Sequence, residues 1–289
     1  MNLTRRSLLA SGVLCGLFGA SSFARPFSAW GAEGDKESNS GVKKDDVPQV
    51  SFKLKKKIER DVESYTQGLL YELDPATKKG VLYESGGQYG RSLLRKVDAE
   101  TCEVLKQIKI PSKYFAEGLA AVDDKLYLLT WRERTCLVYD KKTFEKVDEF
   151  RYRTEGWGLT YNGKSLVMSD GSSKIRFFNP SNFKLEKTID VRFVDAKGKR
   201  RQLEYLNELE WINGEIWANV YQQEFIVRID PTSGNVLGTA INFASLTPKS
   251  LKANQEYVLN GLAFDARQKR LFVTGKCWPV LYQIAVNFQ

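Results

Sequence analysis

Five short motifs along the chain carry the residues whose types could do chemistry. In each motif one polar or aromatic residue precedes a small or polar residue and then a leucine, and the leucine opens an apolar run. Glu117 is the single carboxylate among the five. Because the 289-residue sequence contains no histidine, acid/base chemistry falls to carboxylates, lysine or tyrosine, and Glu117 is the candidate base. The five residues are Gln67, Glu117, Trp157, Asn207 and Asn260.

The composition excludes several classes of site. Without histidine the chain cannot form Ser-His or Cys-His nucleophilic pairs or His-ligated zinc sites. Nothing in it resembles a nucleic-acid-binding module, and the basic run at residues 197–201 is better explained as a solvated loop than as a site for an anionic partner. Cys15 lies in the N-terminal apolar run. One disulfide is possible among Cys102, Cys136 and Cys277, and the sequence does not say which.

The spacing of the five motifs predicts the fold. Successive motif residues are 50, 40, 50 and 53 positions apart, and each interval contains short strand-like runs separated by turn residues. A repeat of this length with four strands per unit is typical of a β-propeller blade. The last unit has three strands before the chain ends, so residues 50–55 are predicted to add its outer strand and close the ring. We therefore predict an all-β, five-bladed β-propeller over residues 49–289; the alternative is an open β-sandwich with coincidental spacing.

This geometry brings a second set of residues to the same mouth of the propeller. Within a blade the first two strands form an antiparallel hairpin, so residues 13 to 16 positions after a motif residue return to the same face. The step leads to Trp131, Asp170, Tyr221 and Lys276, of which Asp170 is better explained as a turn former. Together with Phe115 they predict an aromatic-lined cup that holds one base, one cation and several amides.

The beginning of the chain predicts export. Arg5 and Arg6 stand directly before an apolar run, residues 8–18, which has the length of a signal-peptide core and is too short to span a bilayer. Twin arginines at this place favour the twin-arginine route over an ordinary secretory signal. We predict a signal peptide at residues 1–32 and a disordered polar linker at residues 33–48. The mature protein is expected to be exported, periplasmic or secreted, monomeric and without stable membrane association.

Taken together, the motifs resemble those of the plant and bacterial type of glutaminyl-peptide cyclotransferase, also called glutamine cyclotransferase. The resemblance covers nearly all of the domain, from about residue 65 to residue 284, in the same order. The motifs that carry it are Tyr65-Thr66-Gln67-Gly68-Leu69, Phe115-Ala116-Glu117-Gly118-Leu119, Leu128-Leu129-Thr130-Trp131, Glu155-Gly156-Trp157-Gly158-Leu159, Ser169-Asp170-Gly171-Ser172, Asn207-Glu208-Leu209-Glu210-Trp211, Val258-Leu259-Asn260-Gly261 and Gly275-Lys276-Cys277-Trp278-Pro279.

The resemblance implies a reaction and a role for each candidate residue. An N-terminal glutamine closes on itself, ammonia leaves, and the product is an N-terminal pyroglutamate. The family is a five-bladed propeller that is not built around a His-ligated zinc ion, and we predict neither a catalytic metal nor a cofactor. The family often has tryptophan where this chain has Tyr221, which leaves substrate preference open at that position. The implied catalytic residues are Glu117, Asn207 and Lys276, and the implied substrate-binding residues are Gln67, Phe115, Trp131, Trp157, Tyr221 and Asn260.

Two other functions are compatible with the residues alone. A calcium-dependent propeller hydrolase or lactonase would place Glu117, Asn207 and Asn260 around a metal ion, although Lys276 nearby would repel it. A non-enzymatic propeller would display peptides in the same cup. Sensitivity to chelators separates the first alternative from a cyclotransferase, and release of ammonia separates the second.

Overall fold

The computed structural model describes residues 50–61, 64–195, 197–251 and 254–288. The strands of this part of the chain follow the apolar runs of the sequence, and polar turns such as Asn162-Gly163 and Asn213-Gly214 separate them. The first strand, β1, is Val50–Glu59. Four strands per blade then follow in chain order for blades 1 to 4, and three for blade 5.

Blade 1 consists of β2 (Thr66–Leu73), β3 (Gly80–Gly86), β4 (Leu93–Asp98) and β5 (Val104–Lys109). Blade 2 consists of β6 (Ala116–Val122), β7 (Lys125–Thr130), β8 (Thr135–Asp140) and β9 (Lys146–Arg151). Blade 3 consists of β10 (Leu159–Tyr161), β11 (Leu166–Ser169), β12 (Lys174–Phe178) and β13 (Leu185–Asp190). A separate hairpin consists of β14 (Arg192–Val194) and β15 (Arg200–Gln202). Blade 4 consists of β16 (Leu206–Ile212), β17 (Glu215–Val220), β18 (Phe225–Ile229) and β19 (Val236–Asn242), and a 3-10 turn follows at Lys249–Leu251. Blade 5 consists of β20 (Leu259–Asp265), β21 (Arg270–Gly275), β22 (Val280–Phe288) and β1.

The first strands of the five blades form a closed ring. β2 contacts β6, β6 contacts β10, β10 contacts β16, β16 contacts β20, and β20 contacts β2 again. Blades 1 to 4 are antiparallel meanders of consecutive strands, and in blade 5 the consecutive strands β20, β21 and β22 are joined by β1 from the beginning of the domain. The prediction of an all-β, five-bladed propeller is confirmed. The basic run at residues 197–201, predicted to be a loop, takes part in the β14–β15 hairpin.

The N-terminal strand β1 lies at the outer edge of blade 5. It pairs antiparallel with β22 from Val50↔Phe288 to Glu59↔Val280, with one irregularity between Leu54 and Lys56. The strand is longer than the six residues predicted from the sequence. It covers the edge of β22, which would otherwise present unpaired backbone groups to solvent. How much this pairing contributes to holding the ring together stays a prediction.

The core consists of apolar layers between neighbouring blades, and the blades approach each other closely near the mouth. A Cβ added at Gly118 would lie 2.4 Å from the backbone nitrogen of Leu159 in blade 3, and one at Gly158 would lie 2.0 Å from the carbonyl oxygen of Asn207 in blade 4. Only glycine fits at such an approach of two backbones. Gly118 and Gly158 therefore let the first strands of blades 2 and 3 bring their motif residues next to the following blade.

Polar side chains on the second strands link neighbouring blades at this level. The Ser85 hydroxyl donates to the carbonyl oxygen of Glu117 at 2.5 Å, and the Ser169 hydroxyl donates to the carbonyl oxygen of Asn207 at 2.7 Å. The side-chain oxygen of Asn219 accepts a hydrogen bond from the backbone of Gly261 at 3.1 Å. Since all are buried, these bonds fix the backbone of the motif residues.

No helix in the described residues has the length and apolar character needed to cross a membrane. The predicted signal peptide and the predicted linker lie outside the described residues.

Candidate active site

The first strands place three of the motif residues in one buried chain of hydrogen bonds. The Asn260 side-chain amide donates to the side-chain oxygen of Gln67 at 3.2 Å, and the Gln67 amide donates to Oε1 of Glu117, also at 3.2 Å. Asn260 also donates to the carbonyl oxygen of Thr66 at 3.0 Å. Blades 5, 1 and 2 thus cooperate to orient one carboxyl group. All three side chains are buried, and the amides leave Oε2 of Glu117 without a hydrogen bond from any described residue.

Glu117 has the electrostatic character of an acid/base group. Its relative exposure is 5%. Burial raises the pKa of the carboxyl group well above its usual range, the ammonium of Lys276 opposes the rise, and the carboxylates Glu155 and Glu133 add to it. The neutral amide of Gln67, 3.2 Å from Oε1, stabilises the ionised carboxylate only weakly. Such a carboxyl group binds a proton more readily than an exposed glutamate does.

Lys276 lies beside Glu117 at the end of β21. Its side chain is buried, and Nζ lies 4.9 Å from the ring centroid of Tyr65 and 5.0 Å from that of Tyr221. Burial lowers the pKa of the ammonium, while Glu117 and Glu256 oppose this change. Nζ makes no hydrogen bond or ion pair with a described residue, so two aromatic faces are its main support.

Aromatic side chains form the wall above these groups. Phe115 packs edge-on against Trp131 with ring centroids 5.4 Å apart, and Trp157 packs edge-on against Tyr221 at 5.9 Å. Tyr65 joins the two sides, since its ring lies 6.2 Å from that of Phe115 and also faces Lys276. We call this wall, with Gln67, Glu117, Asn260 and Lys276 below it, the cup.

Three carboxylates complete the wall, and none of them was predicted as a site residue. They are called the rim carboxylates, and each accepts two hydrogen bonds from residues of the wall or next to it. Glu133 accepts from the Tyr89 hydroxyl at 2.6 Å and from the backbone of Phe115 at 3.2 Å. Glu155 accepts from the indole nitrogens of Trp131 at 2.7 Å and Trp157 at 3.1 Å.

Glu256 is the third rim carboxylate and closes the wall on its remaining side. It accepts from the hydroxyls of Tyr65 at 2.7 Å and Tyr221 at 3.1 Å. The hydroxyl of Tyr221 therefore has a defined partner. Tyr65 and Glu155 stand two residues before motif positions, a signal that could have identified them, whereas Glu256 lies in an irregular segment with no pattern.

Asn207 and Asp170 differ in whether their side-chain oxygens have partners among the described residues. Asn207 is 2% exposed, and its side-chain oxygen has no hydrogen-bond partner among the described residues. A buried carbonyl oxygen of this kind is costly unless a ligand or water satisfies it. The Asp170 carboxylate is instead occupied by Arg176 and by the hydroxyl and backbone of Ser172, as a turn former would be.

Neither a disulfide nor a metal-binding cluster is found among the described residues. Cys102, Cys136 and Cys277 are thiols, and no disulfide joins any two of these three described residues. Within the described residues no group of three or more His, Cys, Asp or Glu side chains could hold a metal ion. Burial raises the pKa of the Cys102 thiol to about 11, which disfavours the reactive thiolate.

Comparisons of the sequence and of the structure with known proteins all point to glutamine cyclotransferases. Residues 29–286 match the family model for glutamine cyclotransferase. A curated glutaminyl-peptide cyclotransferase from Arabidopsis thaliana is 37% identical over 268 residues, which cover 92% of this chain and 79% of that protein. The crystal structure of Myxococcus xanthus glutaminyl cyclase is similar with a TM-score of 0.72 and 30% identity, covering 84% of this chain and 99% of that one.

Proposed function

The chain belongs to the glutamine cyclotransferase family and has glutaminyl-peptide cyclotransferase activity, and we propose that Glu117 is the acid/base of this reaction. The observation that carries the proposal is the Glu117 carboxyl group itself, buried in the cup with its pKa raised and one oxygen left open. The relatives favour this function over a calcium-dependent hydrolase and over a peptide-binding propeller without activity.

The reaction is an intramolecular acyl transfer with a defined exchange of bonds. The α-amine nitrogen of the N-terminal glutamine attacks its own side-chain amide carbon, and a five-membered lactam ring forms. The bond between that carbon and the amide nitrogen then breaks, and the nitrogen leaves as ammonia. The amine loses a proton on attack and the leaving nitrogen gains one, so one group can serve both steps.

Glu117 can move this proton in both directions. The ionised carboxyl group accepts the proton of the attacking amine at Oε2, since Gln67 occupies Oε1. It then donates the proton to the leaving nitrogen. Burial raises the pKa of Glu117 above that of an ordinary glutamate, so the ionised carboxylate takes up the proton of the amine more readily.

The remaining residues have roles in positioning and in charge stabilisation. The wall of Phe115, Trp131, Trp157 and Tyr221 holds the glutamine side chain curled over its own amine, which supplies much of the rate enhancement in a ring closure. Lys276 or the side-chain amide of Asn207 stabilises the negative charge that develops on the amide oxygen. Gln67 and Asn260 keep Glu117 oriented.

We also propose that the protein is exported, most simply by the twin-arginine route, and works as a monomer in the periplasm or outside the cell. The support is the arginine pair before a short apolar run in the sequence. The first strands of the five blades close into a ring within one chain, so the ring needs no strand from a second subunit.

The test of the function is incubation with a peptide that begins with glutamine, followed by mass spectrometry. Loss of one ammonia per peptide is expected, and the same peptide with an acetylated α-amine should remain unchanged because its nucleophile is blocked. Turnover should persist in a chelator, which a calcium-dependent hydrolase would not tolerate. Binding of the peptide without loss of ammonia would contradict the proposal.

A further inference from the structure

The rim carboxylates give the mouth of the cup a charge opposite to that of the chain. The sequence has a formal net charge of +9, yet Glu133, Glu155 and Glu256 all stand at this one mouth. Arg132 opposes them at the rim, with Nε 3.7 Å from Glu155 and its guanidinium 3.8 Å from the centroid of the Trp131 ring, and the buried ammonium of Lys276 interacts with Glu256 from below. Two cations against three carboxylates leave an excess of negative charge among the described residues of the mouth.

Hydrogen bonds from the wall hold these charges in place. Glu155 accepts two indole N–H groups, and Glu256 accepts two tyrosine hydroxyls. A surface carboxylate usually attracts a cation only weakly, because solvent screens its charge and its mobile side chain must become ordered when the cation binds. A carboxylate fixed by two donors has already lost that freedom, and its charge acts from a defined position.

A second observation shows that the charges face the place where the substrate binds. Nζ of Lys276 is buried without a hydrogen bond to a described residue, and it lies against the two tyrosines that bind Glu256. An ammonium in this position lacks an acceptor until a ligand supplies one. The unpartnered ammonium and the rim carboxylates therefore border the same space, and an entering peptide passes between them.

We propose that Glu133, Glu155 and Glu256 select substrates whose second or third residue is lysine or arginine, and disfavour substrates with aspartate or glutamate there. The proposal rests on the cyclotransferase function. The first residue must lie deep in the cup beside Glu117, so the peptide leaves through the wall and its next residues lie at the level of the rim. Opposite charges at this level attract, and like charges repel.

The experiment compares three peptides that differ only in the second residue: Gln-Lys, Gln-Ala and Gln-Glu at the N-terminus. We expect kcat/KM to fall in that order, by about three- to tenfold per step at low salt, the size of a charge interaction across several ångströms of partly solvated space. Because exposed charges are screened, the differences should shrink at high salt. Equal kcat/KM for all three peptides would overturn the inference, whereas failure to convert any of them would overturn the cyclotransferase function itself.

Two variants that change the charge of the rim in opposite directions test whether this charge causes the substrate preference. Glu155→Gln keeps an oxygen that can accept both indole N–H groups and removes the charge, so the preference for Gln-Lys over Gln-Glu should fall. Arg132→Gln removes the opposing cation, so the same preference should rise. An effect of the same sign in both variants would overturn the role of charge and indicate a general disturbance of the wall.

A matched control removes a carboxylate on the opposite face of the propeller. Glu145 is exposed in the turn between β8 and β9, at the end of blade 2 remote from the mouth. Glu145→Gln should leave the ratio of the three kcat/KM values unchanged. A shift equal to that of Glu155→Gln would assign the preference to net charge and overturn the inference.

Discussion

Two buried glutamates, Glu84 and Glu117, show how the same side chain serves two purposes in adjacent blades. Both are almost fully buried, with relative exposures of 1% and 5%. Burial alone would raise the pKa of Glu84, but Arg60 and Arg95, each donating to it at 2.7 Å, outweigh burial and hold that pKa well below its usual range. Among the described residues Glu117 accepts a side-chain hydrogen bond from the Gln67 amide alone, and its pKa rises.

The difference distinguishes a carboxylate at the junction of two blades from the carboxylate that we propose as the acid/base. Glu84 lies where blade 1 meets blade 5, a junction we call the seam, and Arg60 follows the strand β1 directly. Arg60 also donates to Thr274 of blade 5 at 3.2 Å. A fully compensated carboxylate stabilises a fold, whereas a poorly compensated one is available for chemistry.

Removing the strand at the seam is expected to have the largest effect. A chain that lacks Val50–Glu59 leaves the edge of β22 open and loses the outer strand of blade 5. We expect the whole domain to lose its cooperative thermal transition. Deleting residues 33–46 should leave the melting temperature unchanged, and equal melting temperatures for both deletions would show that the ring does not depend on this strand.

The next largest effect is expected from Glu117→Gln. The substitution is nearly isosteric, so the fold should survive, but the base is lost and the substrate amine loses its anionic partner. Loss of acid/base assistance costs about a hundredfold to ten-thousandfold in rate, so we expect kcat to fall by at least about a hundredfold. Ammonia release under saturating peptide measures the change.

Asp170→Asn is the matched control, because Arg176 already occupies that carboxylate. The control should keep its turnover, even if its melting temperature falls with the lost ion pair. If it abolishes turnover while Glu117→Gln does not, the base has been assigned to the wrong blade.

Glu84→Gln should lower stability and leave kcat nearly unchanged, whereas Glu117→Gln should lower kcat and leave the fold intact. Glu84→Gln leaves the buried Arg60 without its carboxylate partner and Arg95 with Asp61 alone, and breaking a buried ion pair typically costs about 3–5 kcal/mol of stability. The free energy of unfolding in denaturant should fall by this amount, and kcat should change little at temperatures well below the transition. A loss of kcat with unchanged stability would abolish the distinction between seam and cup.

The pH dependence of stability should also have opposite signs at the two sites. The lowered pKa of Glu84 gives stability that is present above the unfolded value of about 4.3 and lost as the pH falls towards the folded value. Glu84→Gln should therefore cost most at neutral pH and less in acid. The raised pKa of Glu117 means that ionisation opposes folding above the unfolded value, so Glu117→Gln should stabilise the protein at neutral pH and have no such effect in acid.

The smallest effect is expected from Cys277→Ala. Cys277 is buried next to Lys276, but the chain has no histidine to activate a thiol. Most of the kcat should remain, measured by ammonia release alongside the parent enzyme. A loss as large as that of Glu117→Gln would move the chemistry from the carboxylate to the thiol.

The sequence predicted those parts of the molecule that repeat. The motif positions of Gln67, Glu117 and Asn260 follow from periodicity, because a small residue and an apolar run must recur wherever a first strand packs against the next blade. The regular length of the hairpin formed by the first two strands of a blade also predicted that Lys276 and Tyr221 lie at the mouth. The catalytic and binding roles of the nine candidate residues stay predictions.

Contacts between residues far apart in the chain were not predictable in this way. Glu84 receives its arginines from the end of β1 and from β4. Glu256 meets Tyr65, which is 191 residues away, from a segment without strand periodicity. Such pairs depend on how the blades rotate about the channel, and a single sequence carries no signal for that rotation.

The rim carboxylates also bear on how the enzyme finishes a cycle. A peptide arrives with a protonated α-amine, which three fixed negative charges attract, and the amine releases this proton to solvent before its neutral form attacks. Ring closure turns that amine into a lactam nitrogen, which carries no charge at neutral pH. The product therefore leaves the mouth without the positive end that brought the substrate in, and ammonia departs separately. Pyroglutamyl peptides should compete poorly with fresh substrate, so turnover can continue as product accumulates.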